Sequence, residues 1–227
     1  MANHFWIVGS DTGVGKTIVT ALFMRTLQAK GYSVLPYKPV QTGIITEGDT
    51  SYYEDTAFYQ TFSMAELNEN NTNTYSFKEP ASPHYAAMLE GQTIDKNIIL
   101  EQLQQNLSHY DHVICEGAGG LYVPLDAKQG YHFISLIKES NLPCVLVVRT
   151  GLGTINHTVL SLKALKNMDI PVIGIVFNQF EGTELEKNNI ETIQNLTSLP
   201  FTVIPKLADL TELKNLQVEF FERLITL

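Results

Sequence analysis

The chain has 227 residues, 44% of them apolar, and 15 basic against 24 acidic side chains leave a net charge of −9. Such a length holds one large α/β domain or two small ones, and the acidic balance argues against a surface for nucleic acid or for anionic membrane. No run reaches about 18 apolar residues and the N-terminus enters a strand-like segment directly, so the sequence predicts a cytoplasmic protein with no membrane span and no signal peptide.

The predicted elements begin with His4-Phe5-Trp6-Ile7-Val8, a short buried strand, followed by Gly9-Ser10-Asp11-Thr12-Gly13-Val14-Gly15-Lys16-Thr17. The second stretch fits the phosphate-loop pattern G-x-x-x-x-G-K-[ST] without a mismatch, and residues 17–27 after it carry apolar side chains at helical spacing. The strand–loop–helix context is what the motif requires. Glycines let successive backbone N–H groups face one phosphate at a helix N-terminus, Lys16 neutralises the β- and γ-phosphates, and the Thr17 hydroxyl faces a magnesium ion.

Strand-like runs recur at 33–38, 112–116, 144–148, 172–177 and 201–204, separated by helix-period stretches such as Ile99, Leu103 and Leu107 after Asp95. Continuous apolar strands between amphipathic helices predict a mostly parallel sheet covered on both faces, a single-domain phosphate-loop NTPase-like α/β fold over residues 1–227. The Asn-rich segment from Glu66 to Glu79 reads as a surface loop or an excursion. Cys115 and Cys144 lie inside apolar runs and read as buried thiols.

In open α/β sheets ligands bind beyond the carboxyl ends of the strands. Lys38 ends the second run, Glu116-Gly117-Ala118-Gly119-Gly120 closes the third, Thr150-Gly151-Leu152-Gly153 follows the fourth, and Asn178 and Pro205 follow the last two. Glu116 stands where phosphate-loop enzymes place a second acidic group near magnesium. Asp49 and Asp55, after the second run, are alternative sources of a further acid. Lys38, between Tyr37 and Pro39, is positioned to stabilise charge on a transferred phosphoryl group. The histidines show no metal-ligand spacing with cysteines or acids, and neither a Gly-x-Ser-x-Gly elbow nor a cysteine–base pair points to covalent catalysis.

Taken in order, Gly9 to Thr17, Tyr37 to Gly43, Glu79 to His84, Glu116 to Gly120 with Pro124-Leu125, and Leu152 to His157 resemble the signature of the dethiobiotin synthetase family. The resemblance covers residues 5 to 210 approximately. It implies ATP- and magnesium-dependent closure of a cyclic urea from 7,8-diaminononanoate and carbon dioxide in biotin biosynthesis, through a carbamate and a carbamic-phosphoric anhydride. It further implies Lys38, Lys16 and Thr12 as catalytic residues and Thr17, Asp55 and Glu116 around magnesium, which selects Asp55 over Asp49. Gly13, Val14, Gly15, Lys16, Thr17, Ile18, Asp55, Glu116, Gly117, Ala118, Gly119, Asn178, Pro205, Lys206 and Leu207 are implied around the nucleotide, with Asn178 at the adenine edge. Thr42 is implied at the substrate. So are Gly153, Thr154, Ile155 and Asn156, contributed across the interface of a homodimer.

Two departures from the family stand out. Some members have a glutamate at the position of Gly13 and a lysine near Gly151, and some hold the substrate carboxylate with a partner-subunit tyrosine, whereas residues 182–196 contain none. The alternative reading is a partitioning-type ATPase switch with a protein or DNA partner. Such switches carry an additional lysine near the loop start, where this chain has Ser10, and a DNA partner calls for a basic surface.

Overall fold

The computed structural model describes residues 3–216. The chain runs β1 (His4–Gly9), α1 (Lys16–Gln28), β2 (Val34–Tyr37), β3 (Val40–Thr42), β4 (Ile44–Glu47), β5 (Thr50–Tyr53), α2 (Glu54–Phe62) and α3 (Glu69–Thr72). It continues through β6 (Tyr75–Phe77), α4 (Pro83–Leu89), α5 (Lys96–His109), β7 (His112–Gly120), β8 (Pro124–Asp126), β9 (Tyr131–His132) and α6 (Phe133–Ser140). Then follow β10 (Cys144–Val148), α7 (Thr154–Asn167), β11 (Val172–Phe180), α8 (Glu184–Thr197), β12 (Phe201–Pro205) and a 3₁₀ turn at Leu210–Lys214.

Six strands form one sheet in the order β12-β11-β10-β1-β7-β2, and every pairing in it is parallel. Side chains alternate across a strand, and β1 shows the result. Trp6 and Val8 join one core cluster with residues of α4, α5, α6 and α8, whereas Phe5 and Ile7 join a second with Val19, Leu22 and Phe23 of α1 and Tyr59 of α2. Covering both faces explains why these strands read as unbroken apolar runs. The chain places β7 on one side of β1 and the next strand of this sheet, β10, on the other, so the strand order reverses at β1 and opens a crevice beyond its carboxyl end. The phosphate loop leaves β1 at that point.

Three boundaries differ from the sequence-based expectation. Of the two readings of the segment after Glu66, the structure shows an excursion between core strands β2 and β7 and not a bare loop: α3 is capped by the Asn68 side chain, and β6 pairs in parallel with β3 outside the main sheet. Cross-strand pairing over only three residues leaves too weak an alternation to be read from sequence. β7 does not stop at Glu116 but continues to Gly120, with an irregularity between the Ile7–Glu116 and Gly9–Gly120 pairs. β11 likewise extends past Asn178 to Phe180, and its pairing with β12 steps from Phe177–Val203 to Phe180–Pro205, which is a bulge of one residue. Gln179 in that bulge has φ 62°. Residues 217–227 of the expected single unit lie outside the described residues.

Candidate active site

α1 begins directly after the loop, with Gly15 as its N-cap and no side chain bonded to its first-turn amides. The N–H groups at that end are therefore available to an anion, which the helix dipole favours. Gly15 has φ 90°, and a Cβ there would fall 1.9 Å from Nδ2 of Asn178. The loop conformation thus excludes any side chain at this position. Asn178, 2% exposed, donates from Nδ2 to the Val14 carbonyl at 2.9 Å. Asn178 follows Val176 by two residues and so shares its face of the sheet, the one that packs with Val14.

Lys16 folds back over the loop, with Nζ donating to the Asp11 carbonyl at 3.2 Å. Burial lowers its ammonium from the ordinary 10.5 to about 8, against the pull of Glu116 and Asp55 and with the push of Lys38. Lys38, one residue past β2, is 7% exposed and reaches Glu116 Oε1 at 2.8 Å and the Asp55 carboxylate on its other side. Burial disfavours its charge, but those two carboxylates outweigh burial and hold its pKa above the ordinary value. Asp55, in the first turn of α2, feels burial pushing it up; the Lys38 ammonium, the Thr17 hydroxyl and Lys16 together hold it below the ordinary carboxylate range.

Glu116 is fully buried, and its partners come from α1, from α2 and from the residue after β2. Its Oε1 takes Lys38 and lies 3.0 Å from the Thr17 hydroxyl, while Oε2 lies 2.9 Å from the Thr20 hydroxyl and accepts from Tyr59 Oη at 2.5 Å. Thr17 Oγ1 is also 2.7 Å from Asp55 Oδ1. A carboxylate this deep is tolerated only when paired and fully hydrogen-bonded. Thr17, Asp55 and Glu116 therefore converge as the sequence led us to expect, with Lys38 between the acids. Asp49 lies exposed in the turn between β4 and β5, away from this group.

Thr20 and Tyr59 were not singled out by the sequence reading. The signal was periodic: Thr20 follows Thr17 by three residues on α1, and Tyr59 follows Asp55 by four on α2, so each lies on the face of a residue already chosen. Arg149 and Gln179 were missed as well. Arg149 Nη2 donates to the carbonyls of Thr12 at 3.3 Å and Gly13 at 3.2 Å, and Gln179 Nε2 reaches the Gly13 carbonyl at 3.4 Å.

The remaining expected residues divide by position. Thr12 and Gly13 are exposed at the loop crest and Val14 is buried beneath it. Ile18 packs against the α1-side core. Gly117, Ala118 and Gly119 follow Glu116 through the β7 irregularity, and a Val123 methyl lies 2.7 Å from where a Cβ on Gly119 would stand. Thr42 and Gly43 line a cavity of about 320 Å³ with Gln41, Ile44, Tyr53 and Asp55, so one wall of it is the proposed metal-side carboxylate. Pro205 and Lys206 are exposed past Asn178; Lys206 N donates to the Phe180 carbonyl at 2.9 Å, and Leu207 packs on the core. Gly153 is the N-cap of α7, Thr154 Oγ1 donates to the Arg149 carbonyl at 2.5 Å, and Asn156 is exposed.

Among the described residues no helix is long and apolar enough to cross a membrane. The family model described as an AAA domain matches residues 3–214. An ATP-dependent dethiobiotin synthetase of Lysinibacillus sphaericus is 52% identical over 98% of this chain and 96% of its own length. Proteins of the same description from Halalkalibacterium halodurans and Clostridium kluyveri are 44% and 35% identical, over 86% and 96% of this chain and 81% and 91% of their own. Among solved structures, the septum site-determining protein MinD of Pyrococcus horikoshii, complexed with Mg-ADP, superposes with TM-score 0.61 at 17% identity, covering 99% of this chain and 94% of that one. A ParA family ATPase of Chlorobium tepidum gives TM-score 0.58 at 16% identity, covering 95% and 90%. At such identities the two structures share the fold and nothing further is inferred from them.

Proposed function

The chain belongs to the ATP-dependent dethiobiotin synthetase family, and from that premise we propose that it closes 7,8-diaminononanoate and carbon dioxide into dethiobiotin, with ATP converted to ADP and phosphate. As a member of that family it is an ATP-dependent ligase of biotin synthesis. The single observation that best supports the detailed reading is the buried Lys38 ammonium held between Asp55 and Glu116, beside the Thr17 hydroxyl at the start of the phosphate-loop helix.

In this reading one amine of the diamine first takes up carbon dioxide as a carbamate. The carbamate oxygen then accepts the γ-phosphoryl group, and the second amine displaces phosphate as it closes the ring. Neither step needs a covalent protein nucleophile; both need alignment and positive charge. Lys16 and the amides of Gly13, Val14 and Gly15 hold the phosphates, and Thr12 lies at the loop crest beside them. Lys38 balances charge that builds on the carbamate oxygen and the moving phosphoryl group. Thr42, in the cavity that Asp55 also lines, holds the diamine end of the substrate.

The donor set of Thr17, Asp55 and Glu116 is hard oxygen, two carboxylates and a hydroxyl. It fits magnesium, which takes few protein ligands and completes its shell with water and phosphate oxygens. When bound there, the ion neutralises the β- and γ-phosphate oxygens. Thr20 and Tyr59 orient Glu116 from behind, as outer hydrogen-bond partners of a metal ligand do. Gly117 to Gly119 and Ile18 complete the nucleotide side. With its Nδ2 engaged by Val14, Asn178 offers its carboxamide oxygen to the adenine edge, next to Pro205, Lys206 and Leu207. Gly153, Thr154, Ile155 and Asn156 serve the partner subunit's substrate in a homodimer.

Purified protein supplied with diamine, bicarbonate, magnesium and ATP should yield dethiobiotin by mass spectrometry, and phosphate release should require both diamine and bicarbonate. Brisk phosphate release with neither, accelerated by DNA or a protein, would instead support the partitioning-type switch.

A further inference from the structure

The phosphate loop is held by side chains reaching in from the neighbouring strand ends. Arg149, directly after β10, gives one guanidinium nitrogen, Nη2, to the carbonyls of both Thr12 and Gly13 at 3.3 and 3.2 Å. Asn178 holds the next carbonyl, that of Val14, at 2.9 Å. Three consecutive carbonyls of the loop are thus turned toward β10 and β11.

The consequence follows from peptide geometry. Among the described residues every peptide bond is trans, and in a trans peptide the C=O of one residue and the N–H of the next point in opposite directions. Fixing the carbonyls of Thr12, Gly13 and Val14 on one side therefore aims the amides of Gly13, Val14 and Gly15 to the other. These amides are the ones the motif presents to phosphate. Gly13 makes the arrangement possible: its φ is 69°, and a Cβ there would come within 3.0 Å of Arg149 Nη2. A side chain at position 13 would strain the backbone and press the guanidinium back from the loop. The Arg149 carbonyl in turn accepts from Thr154 Oγ1 at 2.5 Å, so the same residue ties the first turn of α7 to the loop crest.

We propose that Arg149 is a positioning residue for the nucleotide phosphates, pre-orienting the amides of Gly13 and Val14 by holding the Thr12 and Gly13 carbonyls. It acts through the loop and not by direct contact with the transferred group. The inference rests on the nucleotide-dependent reading above, and dethiobiotin formation by the unaltered protein tests that reading separately.

The test compares Arg149→Met and Arg149→Lys with the unaltered protein by calorimetry and thermal melting, using ADP, a non-hydrolysable ATP analogue and adenosine. Arg149→Met should bind ADP and the ATP analogue about tenfold more weakly by the same factor, the size of one lost charge-assisted hydrogen bond. Adenosine affinity and the ligand-free melting temperature should be unchanged, because Arg149 is exposed, its side-chain hydrogen bonds among the described residues go to the phosphate loop, and its bond to α7 runs through the backbone carbonyl that the substitution keeps. Arg149→Lys, which keeps a cationic donor, should recover most of the ADP affinity. Unchanged ADP binding in Arg149→Met overturns the proposal. So does an equal loss of adenosine binding, which would mean general damage, or a loss confined to the ATP analogue, which would mean direct contact with the γ-phosphate.

Discussion

Lys38 Nζ lies 2.8 Å from Glu116 Oε1 with both side chains buried, and the same ammonium closes on Asp55. A cation thus occupies the space between the two acids proposed for magnesium. Lys38 comes from the end of β2, Glu116 from the middle of β7 and Asp55 from α2. The two strands are neighbours in the sheet, paired in parallel up to Tyr37 and Cys115. One residue further along each strand brings Lys38 beside Glu116, so the contact is a direct consequence of strand register.

Replacing Lys38 with methionine keeps the length of the side chain and removes its charge. The variant should lose about 100-fold to 1,000-fold in turnover, the usual cost of removing one preorganised electrostatic partner, while ADP affinity stays within a few-fold. Steady-state rates with ADP calorimetry check this, and near-normal turnover would remove Lys38 from the chemistry.

Glu116→Gln keeps a hydrogen-bond acceptor for Tyr59 and Thr20 but halves the carboxylate charge around the proposed ion. The magnesium concentration for half-maximal activity should rise about 10-fold to 100-fold. Tyr59→Phe should produce a smaller shift in the same direction, because it removes only the bond that orients Glu116. Superimposable magnesium titrations for Glu116→Gln and the unaltered protein would count against the metal role.

Lys16 gives a pH dependence with a definite sign. Burial holds it at about 8 in the ligand-free fold against 10.5 ordinarily, and bound phosphate restores its preference for the charged form. ADP binding should therefore take up close to one proton at about pH 9 and almost none at about pH 6.5. Calorimetry in buffers of different ionisation enthalpy measures this directly. In the ligand-free protein the unfolded chain holds the proton more tightly, so the Lys16 contribution to stability rises with pH between about 8 and 10.5. Lys16→Met should abolish both effects.

Gly15→Ala introduces a Cβ at φ 90° and within 1.9 Å of Asn178 Nδ2. A left-handed non-glycine residue alone costs about 1–3 kcal/mol, and the clash must also break the bond from Asn178 to Val14. Melting temperature should fall and ADP binding should be lost. Gly15→Ala combined with Asn178→Ala should recover part of the melting temperature, since the clash is then relieved, but not ADP binding.

Much of this site was legible before any coordinates because its residues follow apolar strands directly. The apolar run Val113-Ile114-Cys115 before Glu116 and the proline after Lys38 mark both as residues near the carboxyl ends of strands; Lys38 does follow β2, whereas Glu116 lies inside the longer β7 and meets Lys38 through the β2–β7 register. Thr17 and Lys16 were fixed by the loop pattern. What escaped reading depends on registers between elements distant in sequence. Arg149 looks like any strand-end cation until the Thr12 and Gly13 carbonyls are found 3.3 and 3.2 Å away. The extension of β7 through Gly117–Gly119 was hidden because glycines read as a turn, whereas here they allow a strand to continue through a register shift. The short β3–β6 pair, joining segments either side of the β4–β5 hairpin, has too few residues to show a period.

The surplus residue in β11 has a consequence for how such a chain can change. The regular register up to Phe177 already puts Asn178 on the face of Val176, so deleting Gln179 would give a smoother ladder against β12 and leave Asn178 turned toward the loop. It would remove the side chain that reaches the Gly13 carbonyl at 3.4 Å. Lineages that straighten this strand would gain a better-formed sheet edge and leave Arg149 and Asn178 to hold the crest without that third support.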